Sequence, residues 1–255
     1  MEDLNKRENV DFIAGRNAVI EALKQKRNID TIYITNAQTH GSINKIIALA
    51  KENDIVIKNV TDQKLDFISG GVNHQGVVAI CAVGQYYSLE DILQIARDKN
   101  EPPFIIIADE IEDPHNLGAI IRTAEACGAH GIIIPKRRTA TLTSTVYKTS
   151  AGAASAVPVA KVPNLVAAIK ELQKNGVWIY AADMDGKRWC EVDLKGAVAL
   201  IIGSEGEGIS RLLKEQCDFT LSLPMLGTIN SLNASVAAGI LMYEVVRQRT
   251  NNISM

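Results

Sequence analysis

The sequence contains no apolar run long enough to cross a bilayer. Its longest, Phe104–Ala108 and 197–202, fall well short of the roughly 18 residues that a span needs. No signal peptide opens it either, because Met-Glu-Asp-Leu-Asn-Lys-Arg-Glu is too charged for an apolar h-region. The four cysteines, Cys81, Cys127, Cys190 and Cys217, lie far apart with no C-x-x-C, which speaks against a zinc site or a disulfide framework and predicts reduced, packed thiols. No charge of one sign dominates: 27 Lys and Arg stand against 29 Asp and Glu, a net charge of -2, which argues against a uniformly basic protein that coats nucleic acid. Nor is there an internal repeat or a low-complexity tract. With 47% hydrophobic and 22% charged residues, the composition excludes a disordered or collagen-like chain. These absences predict a soluble, cytoplasmic protein with no membrane partner. The 255 residues suit one large α/β domain, or a small domain joined to a medium one.

One absence is local. Between Glu125 and Glu171 there is no Asp or Glu, while Lys136, Arg137, Arg138, Lys148, Lys161 and Lys170 all fall inside that window. Two explanations stand side by side: chance clustering on a solvated surface, or a patch that faces a polyanion, where cations gain affinity by releasing counterions.

Residues 1–10 read as a solvated tail. From 11 to 83 helices and strands alternate as a compact α/β unit. A helical face at Val19, Ala22 and Leu23 precedes a strand over 31–35. A second helix, with Ser42 as its N-cap, carries Ile43, Ile46, Ile47 and Ala50; strands at 55–57 and 76–83 flank a short helix over 62–68. Residues 84–103 read as a connection with one helix near 89–98, closed by Pro102-Pro103. From 104 onward the strands become continuously apolar, at 104–108, 131–135, 177–180, 198–202 and 219–223, which predicts a parallel sheet covered on both faces.

Three segments of this second part carry chemistry. The first, 113–125, opens a helix after the strand that ends at Asp109; Leu117, Ile120, Ile121 and Ala124 mark its core face. Arg122 falls off that stripe, either to point into a crevice at the sheet edge or to pair with Glu125 on the surface. His115, beside a proline in a turn, reads as structural. The second segment, 200–209, is a strand running into a turn with three glycines and Glu205 between them. It is neither G-x-G-x-x-G nor a P-loop, and too little chain follows it for an ordinary dinucleotide fold. The third, 221–235, leads into a helix over 236–249 whose core face is expected at Leu232, Val236, Ile240 and Tyr243. Asn230 and Ser231 are the N-cap candidates, and polar groups at Ser231 and Asn233 could meet a ligand beside free backbone amides.

Taken together, N-L-G-A-I-I-R-T-A at 116–124, I-I-G-S-E-G-E-G-I-S at 201–210 and L-P-M-x5-S-L-N-A-S-V-A at 223–237 resemble the three motifs of the SpoU/TrmH branch of the SPOUT methyltransferases, in order and separation. The resemblance covers about 104–249, and the first 83 residues resemble the small L30e-like domain that precedes the catalytic domain in some members. It implies an α/β SPOUT catalytic domain over 104–255 with a C-terminal trefoil knot, one of the rare exceptions to unknotted chains. It also implies S-adenosylmethionine as cofactor, no metal, a cytoplasmic homodimer formed through the catalytic domain, and ribosomal RNA as partner. The likeness is greatest to members that methylate the 2'-hydroxyl of a guanosine in 23S rRNA; a tRNA guanosine 2'-O-methyltransferase and a catalytically silent RNA-binding relative are the alternatives. Carried over by motif, Asn116, Arg122, Glu205, Ser231 and Asn233 are the expected catalytic residues, with the backbone around Ile202, Gly203, Leu223, Met225 and Leu232 holding the cofactor. The RNA-binding set is Lys136, Arg137, Arg138 and Lys148. Arg122 either activates the hydroxyl or, since a guanidinium normally keeps its proton, binds phosphate and stabilises a developing alkoxide.

Overall fold

The structure is a computed structural model that describes residues 12–35, 41–206 and 208–250; the tail expected over 1–10 lies outside them. The described residues divide into two compact units. One reaches to Gln85 and includes Thr141–Thr145; the other comprises Tyr86–Ala140 and the chain from Val146 onward.

In the first unit the order is β1 (Phe12–Ala14), α1 (Arg16–Lys24), β2 (Ile29–Thr35), α2 (Ser42–Glu52), β3 (Val56–Val60), α3 (Asp62–Ser69) and β4 (Val77–Cys81). The sheet runs β1-β4-β2-β3, with β2 and β3 parallel and β4 antiparallel to β1 and β2. The apolar faces of α1 and α2, among them Val19, Leu23, Ile43 and Ile46, close over Ile32 and Ile34 of the sheet. On another face Leu65 of α3 packs with Val78 and Ile80. Ser42 is not the N-cap of α2: it is the first helical residue, and Gly41, at φ 66, precedes it with no side-chain cap. A left-handed cap position suits glycine, which leaves the serine one place further along.

In the second unit the order is α4 (Leu89–Asp98), β5 (Phe104–Ala108), α5 (Pro114–Ala126), β6 (Gly131–Pro135), α6 (Ser144–Thr149), β7 (Val159–Val162), α7 (Leu165–Lys174), β8 (Trp178–Arg188), β9 (Val198–Ile202), α8 (Arg211–Lys214), β10 (Phe219–Ser222) and α9 (Ala234–Thr250). All six strands are parallel, in the order β10-β8-β9-β5-β6-β7. Every residue of β5 and β9 is buried, as continuously apolar strands require when both faces are covered. Helix α4 starts in a capping box between Ser88 and Asp91, and its Leu89, Ile92 and Leu93 join the core of this unit. From β5 the chain builds outward through β6 to β7, while β9, β8 and β10 lie on its other side. The strand order therefore reverses between β5 and β9, the place where an open α/β sheet leaves a crevice at the carboxyl ends of its strands.

Three expectations are corrected here. The strand expected over 177–180 continues to Arg188, because β8 pairs with β10 in two stretches: Thr220 faces Ala181, and the next residue, Leu221, faces Lys187. The intervening residues bulge from the ladder, and Gly186 makes the return possible, since a Cβ there would lie 2.5 Å from the Thr220 backbone. On α9 the expected core face is the wrong one. Ala238, Leu241, Met242 and Val245 are buried, whereas Val236, Ile240 and Tyr243 are exposed and Leu232 precedes the helix. The helix is apolar on both sides, so spacing alone could not choose between them. The buried face is the one that packs against α5, with Gly239 beside Thr123. Among the described residues no helix is long and apolar enough to cross a membrane. Cys190 is exposed, against the expectation that all four thiols are packed.

Candidate active site at the reversal of strand order

The loops after β5 and β9 and the chain entering α9 meet at this crevice. Asp113 begins α5 by accepting the His115 N–H at 2.9 Å, with Pro114 in the first turn, where its missing N–H costs nothing. Leu117, Ile120 and Ile121 bury one face of the helix. Gly118 is needed because a Cβ there would overlap Thr149 Oγ1 at 1.9 Å. Asn116, two residues before this close contact, is aimed into the crevice.

The loop after β9 folds back on itself. Ser204 and Gly208 exchange backbone hydrogen bonds at 3.2 and 3.0 Å, and Gly203 lies so close to Gly208 that a Cβ would sit 2.2 Å from its backbone. The buried carboxylate of Asp109 accepts the Ser210 N–H at 3.2 Å and pins the exit of the loop. Burial pushes the pKa of Asp109 above the usual carboxylate range, the Ser210 bond opposes this, and Glu110 nearby adds to it. At the loop's tip stands Glu205.

Asn116, Glu205 and Asn233, far apart in sequence, form one hydrogen-bonded group. Asn116 Nδ2 donates to Glu205 Oε1 at 3.0 Å, and Asn233 Nδ2 donates both to Asn116 Oδ1 at 2.9 Å and to Glu205 Oε1. The backbone N–H of Ala234, the first residue of α9, points at the same oxygen at 3.4 Å. Asn233 Oδ1 meanwhile accepts the N–H groups of Ser235 and Val236 at 3.0 and 3.3 Å, so this residue caps α9 in place of the expected Asn230 or Ser231. A carboxylate at a helix N-terminus is electrostatically favoured, and both asparagine amides have their orientation fixed by it.

Glu205 stands where two cavities meet. One, of about 370 Å³, is lined by Ile202, Gly203, Leu223, Met225, Ser231 and Leu232, together with Ala182, Asp183 and Met184 from the bulge of β8. All five residues expected to hold a cofactor, and Ser231, thus border one space. The other cavity, of about 550 Å³, is lined by Glu110, Glu112, Asp113, Asn116 and Arg138; Ser204, Glu205 and Ala234 border both. Arg122 borders neither. Six residues beyond Asn116, it is turned about 120° around the helix axis from it, and it is exposed on α5.

The comparisons with known proteins agree with this geometry. A model described as the SpoU rRNA Methylase family matches residues 103–243, more than half of the chain, and one described as RNA 2'-O ribose methyltransferase substrate binding matches residues 12–87. This chain belongs to the SpoU rRNA methylase family. It is 49% identical, over 94% of its length and 96% of the relative's, to a Bacillus subtilis protein assigned provisionally as a TrmH family tRNA/rRNA methyltransferase. Among solved structures, an AdoMet-bound rRNA methyltransferase from Sinorhizobium meliloti matches with 27% identity and a TM-score of 0.58, over 92% of this chain and 86% of that one. The A. aeolicus TrmH/SpoU tRNA modifying enzyme matches with 30% identity and a TM-score of 0.55, over 64% of this chain and 85% of that one. The protein is accordingly an RNA methyltransferase of the SpoU/TrmH family.

Within this SpoU unit the cations of the acid-free window are dispersed. Lys136, Arg137 and Arg138 follow β6 at the same carboxyl edge of the sheet as the two cavities, Lys148 is exposed on α6, and Lys161 stacks its ammonium over Tyr86 at 5.2 Å. Of the first three, Arg138 borders the larger cavity. Sequence reasoning missed Asp109, although a carboxylate ending an apolar strand is a usable signal. It also missed Glu110, whose partner Arg138 lies 28 residues away.

Proposed function

We propose that this SpoU methylase transfers a methyl group from S-adenosylmethionine to a ribose 2'-hydroxyl of RNA, at a guanosine of 23S rRNA. The observation that carries the proposal is the Asn116–Glu205–Asn233 group at the junction of two cavities, one apolar-walled and one polar. The match of the first unit to a 2'-O ribose methyltransferase substrate-binding family supports ribose as the acceptor. In this proposal the first unit positions the RNA, and the second, which takes α4 of the expected 84–103 connection into its core, forms the catalytic domain with a knotted C-terminus. The close backbone approaches at Gly186 and Gly203 suit such threading.

The smaller cavity fits the cofactor. Its volume lies within the roughly 300–1,000 Å³ range of small-molecule sites; Leu223, Met225 and Leu232 offer apolar walls for a purine, and Gly203 presents backbone without a side chain. When bound, the sulfonium supplies an activated methyl group, so no metal is required. The chain's own residues then have to place a weak nucleophile in line with that group. Glu205, its Oε1 fixed by two side-chain amides, orients Asn116 and Asn233 toward the ribose, and Ser231 completes the wall. Arg122 borders neither of these two cavities, which supports a site completed by a second copy. The apolar stripe Val236, Ile240 and Tyr243, with Leu226 99% exposed, is the kind of surface that a homodimer covers. In that arrangement Arg122 of one copy reaches the ribose held by its partner, binding phosphate and stabilising the developing alkoxide.

Arg122→Ala should abolish transfer of tritiated methyl to unmodified 23S rRNA while leaving S-adenosylmethionine binding, measured by calorimetry, within about twofold. Substantial residual turnover removes Arg122 from the mechanism, and absence of cofactor binding by the wild type makes the chain a silent relative.

A further inference from the structure

The larger cavity has an unusual rim. Arg138 Nη1 donates to Glu110 Oε1 at 3.0 Å, across the loops that follow the neighbouring parallel strands β5 and β6. Both residues have left-handed backbones, at φ 54 for Glu110 and φ 53 for Arg138, a conformation that costs any residue with a Cβ. The Arg138 side chain is 73% exposed, and a solvated ion pair of that kind contributes too little to stability to account for two strained residues. The two loops are tied independently of the pair, by the Ala140 N–H and the Thr139 hydroxyl on the Ile111 carbonyl at 2.7 and 3.3 Å, and this fixes where the two side chains stand.

The charges around the pair suggest what that geometry serves. Among the described charged residues that border this cavity, Glu110, Glu112, Asp113 and Glu205 are acidic, and Arg138 is the one cation. Glu205 is committed to Asn116 and Asn233, and Asp113 caps α5. An RNA strand that brings a ribose to the Asn116–Glu205–Asn233 group must carry its phosphates past these carboxylates, and Arg138 is the group on this wall that can receive one.

We propose that Arg138 binds the backbone phosphate flanking the target ribose, and that Glu110 is a positioning residue that aims its guanidinium across the cavity mouth. The planar fork of an arginine grips two phosphate oxygens, so direction matters as much as charge. This inference rests on the assignment of RNA methyl transfer above.

The test uses the full-length protein with unmethylated transcripts of 23S rRNA and of tRNA. Arg138→Ala should raise KM for RNA about tenfold, leave kcat within about threefold and cofactor affinity unchanged, and lower the salt slope of RNA binding by about one. Arg138→Lys, which keeps the charge but loses the fork, should recover the salt slope and not KM. Glu110→Gly relieves the strain; it should leave Tm unchanged or raised while still raising KM. The exchange E110R/R138E restores an ion pair and should keep Tm near that of the wild type without recovering KM. An unchanged KM in Arg138→Ala, or recovery of KM by the exchange, would overturn the proposal. If the wild type transfers no methyl group, the functional assignment fails instead, and the salt slope of RNA binding still decides whether Arg138 holds a phosphate.

Discussion

Replacing Gly203 by alanine tests the cofactor cavity with a single methyl group. Gly203 is not in a left-handed conformation, so the substitution brings no backbone strain, only the contact of the added carbon. That carbon would lie 2.2 Å from the Gly208 carbonyl carbon, 2.3 Å from its oxygen and 2.5 Å from the Ile209 nitrogen. Ordinary contacts between such atoms begin near ~3.5 Å, so the two arms of the loop must separate by more than about 1 Å. Neither arm is a flexible side chain, and the Ser204–Gly208 hydrogen bonds hold them together. Relief thus opens the wall of the cavity and shifts Glu205 from its two asparagines. Overpacking of this kind costs about 1–3 kcal/mol of stability; because opening the loop relieves it and binding must close the loop again, S-adenosylmethionine binding should weaken several-fold, to at most about 150-fold. Calorimetry measures the affinity, and far-UV circular dichroism with a urea titration establishes that the variant folds. Gly196→Ala is the control, because nothing lies within 4 Å of its Cβ position and its backbone is not left-handed. An affinity for Gly203→Ala within twofold of wild type, in a folded protein, would refute the placement of the cofactor against this loop.

Other expectations follow from the same geometry. Asn233→Asp keeps the oxygen that caps α9 but loses the Nδ2 donor and sets a like charge against Glu205; it should fold with a stability within about 1 kcal/mol of wild type and lose most of its turnover, as a urea titration and a methyl-transfer assay would show. His130, its side chain fully buried, accepts the Phe104 N–H at Nδ1 and meets Glu101 at Nε2, and burial pushes its pKa below the usual 6.5 even though Glu101 opposes the shift. The unfolded chain then binds a proton that the folded one refuses, so stability should be full above about pH 6.5 and fall as the pH drops from there toward the folded pKa. Urea midpoints between pH 5 and 8 should show that slope, and His130→Gln should flatten it. Tyr243→Glu, placed on the exposed stripe of α9, should convert a homodimer into monomers by light scattering and abolish activity.

Much of this structure was legible because its signals are short-range or strongly apolar. Strands β5, β6 and β9 begin and end where their apolar runs do, and α4 spans the expected residues between its serine cap and the prolines. The residues from the three motif segments, 89 and 28 positions apart, do meet, since Asn116, Glu205 and Asn233 share hydrogen bonds. What could not be read depends on tertiary choices. The core face of α9 cannot be read from spacing because apolar residues line both sides of the helix, and only its packing against α5 selects one. The extension of β8 rests on a register jump opposite β10 that leaves no mark in hydropathy. The Glu110–Arg138 pair joins two strained loops with no sequence pattern, and Arg122 stands apart from the residues whose motif it shares because helix geometry turns it away from Asn116.

The most direct test of the central claim is where the methyl group arrives. Purified protein, tritiated S-adenosylmethionine and unmodified 23S rRNA are incubated, and the RNA is then digested with alkali, which cleaves beside a free 2'-hydroxyl and spares the linkage beside a methylated one. The account predicts label in alkali-resistant dinucleotides whose 5' residue is guanosine. Label in mononucleotides, which marks methylation of a base, or no label in rRNA or tRNA with the cofactor bound, would contradict it.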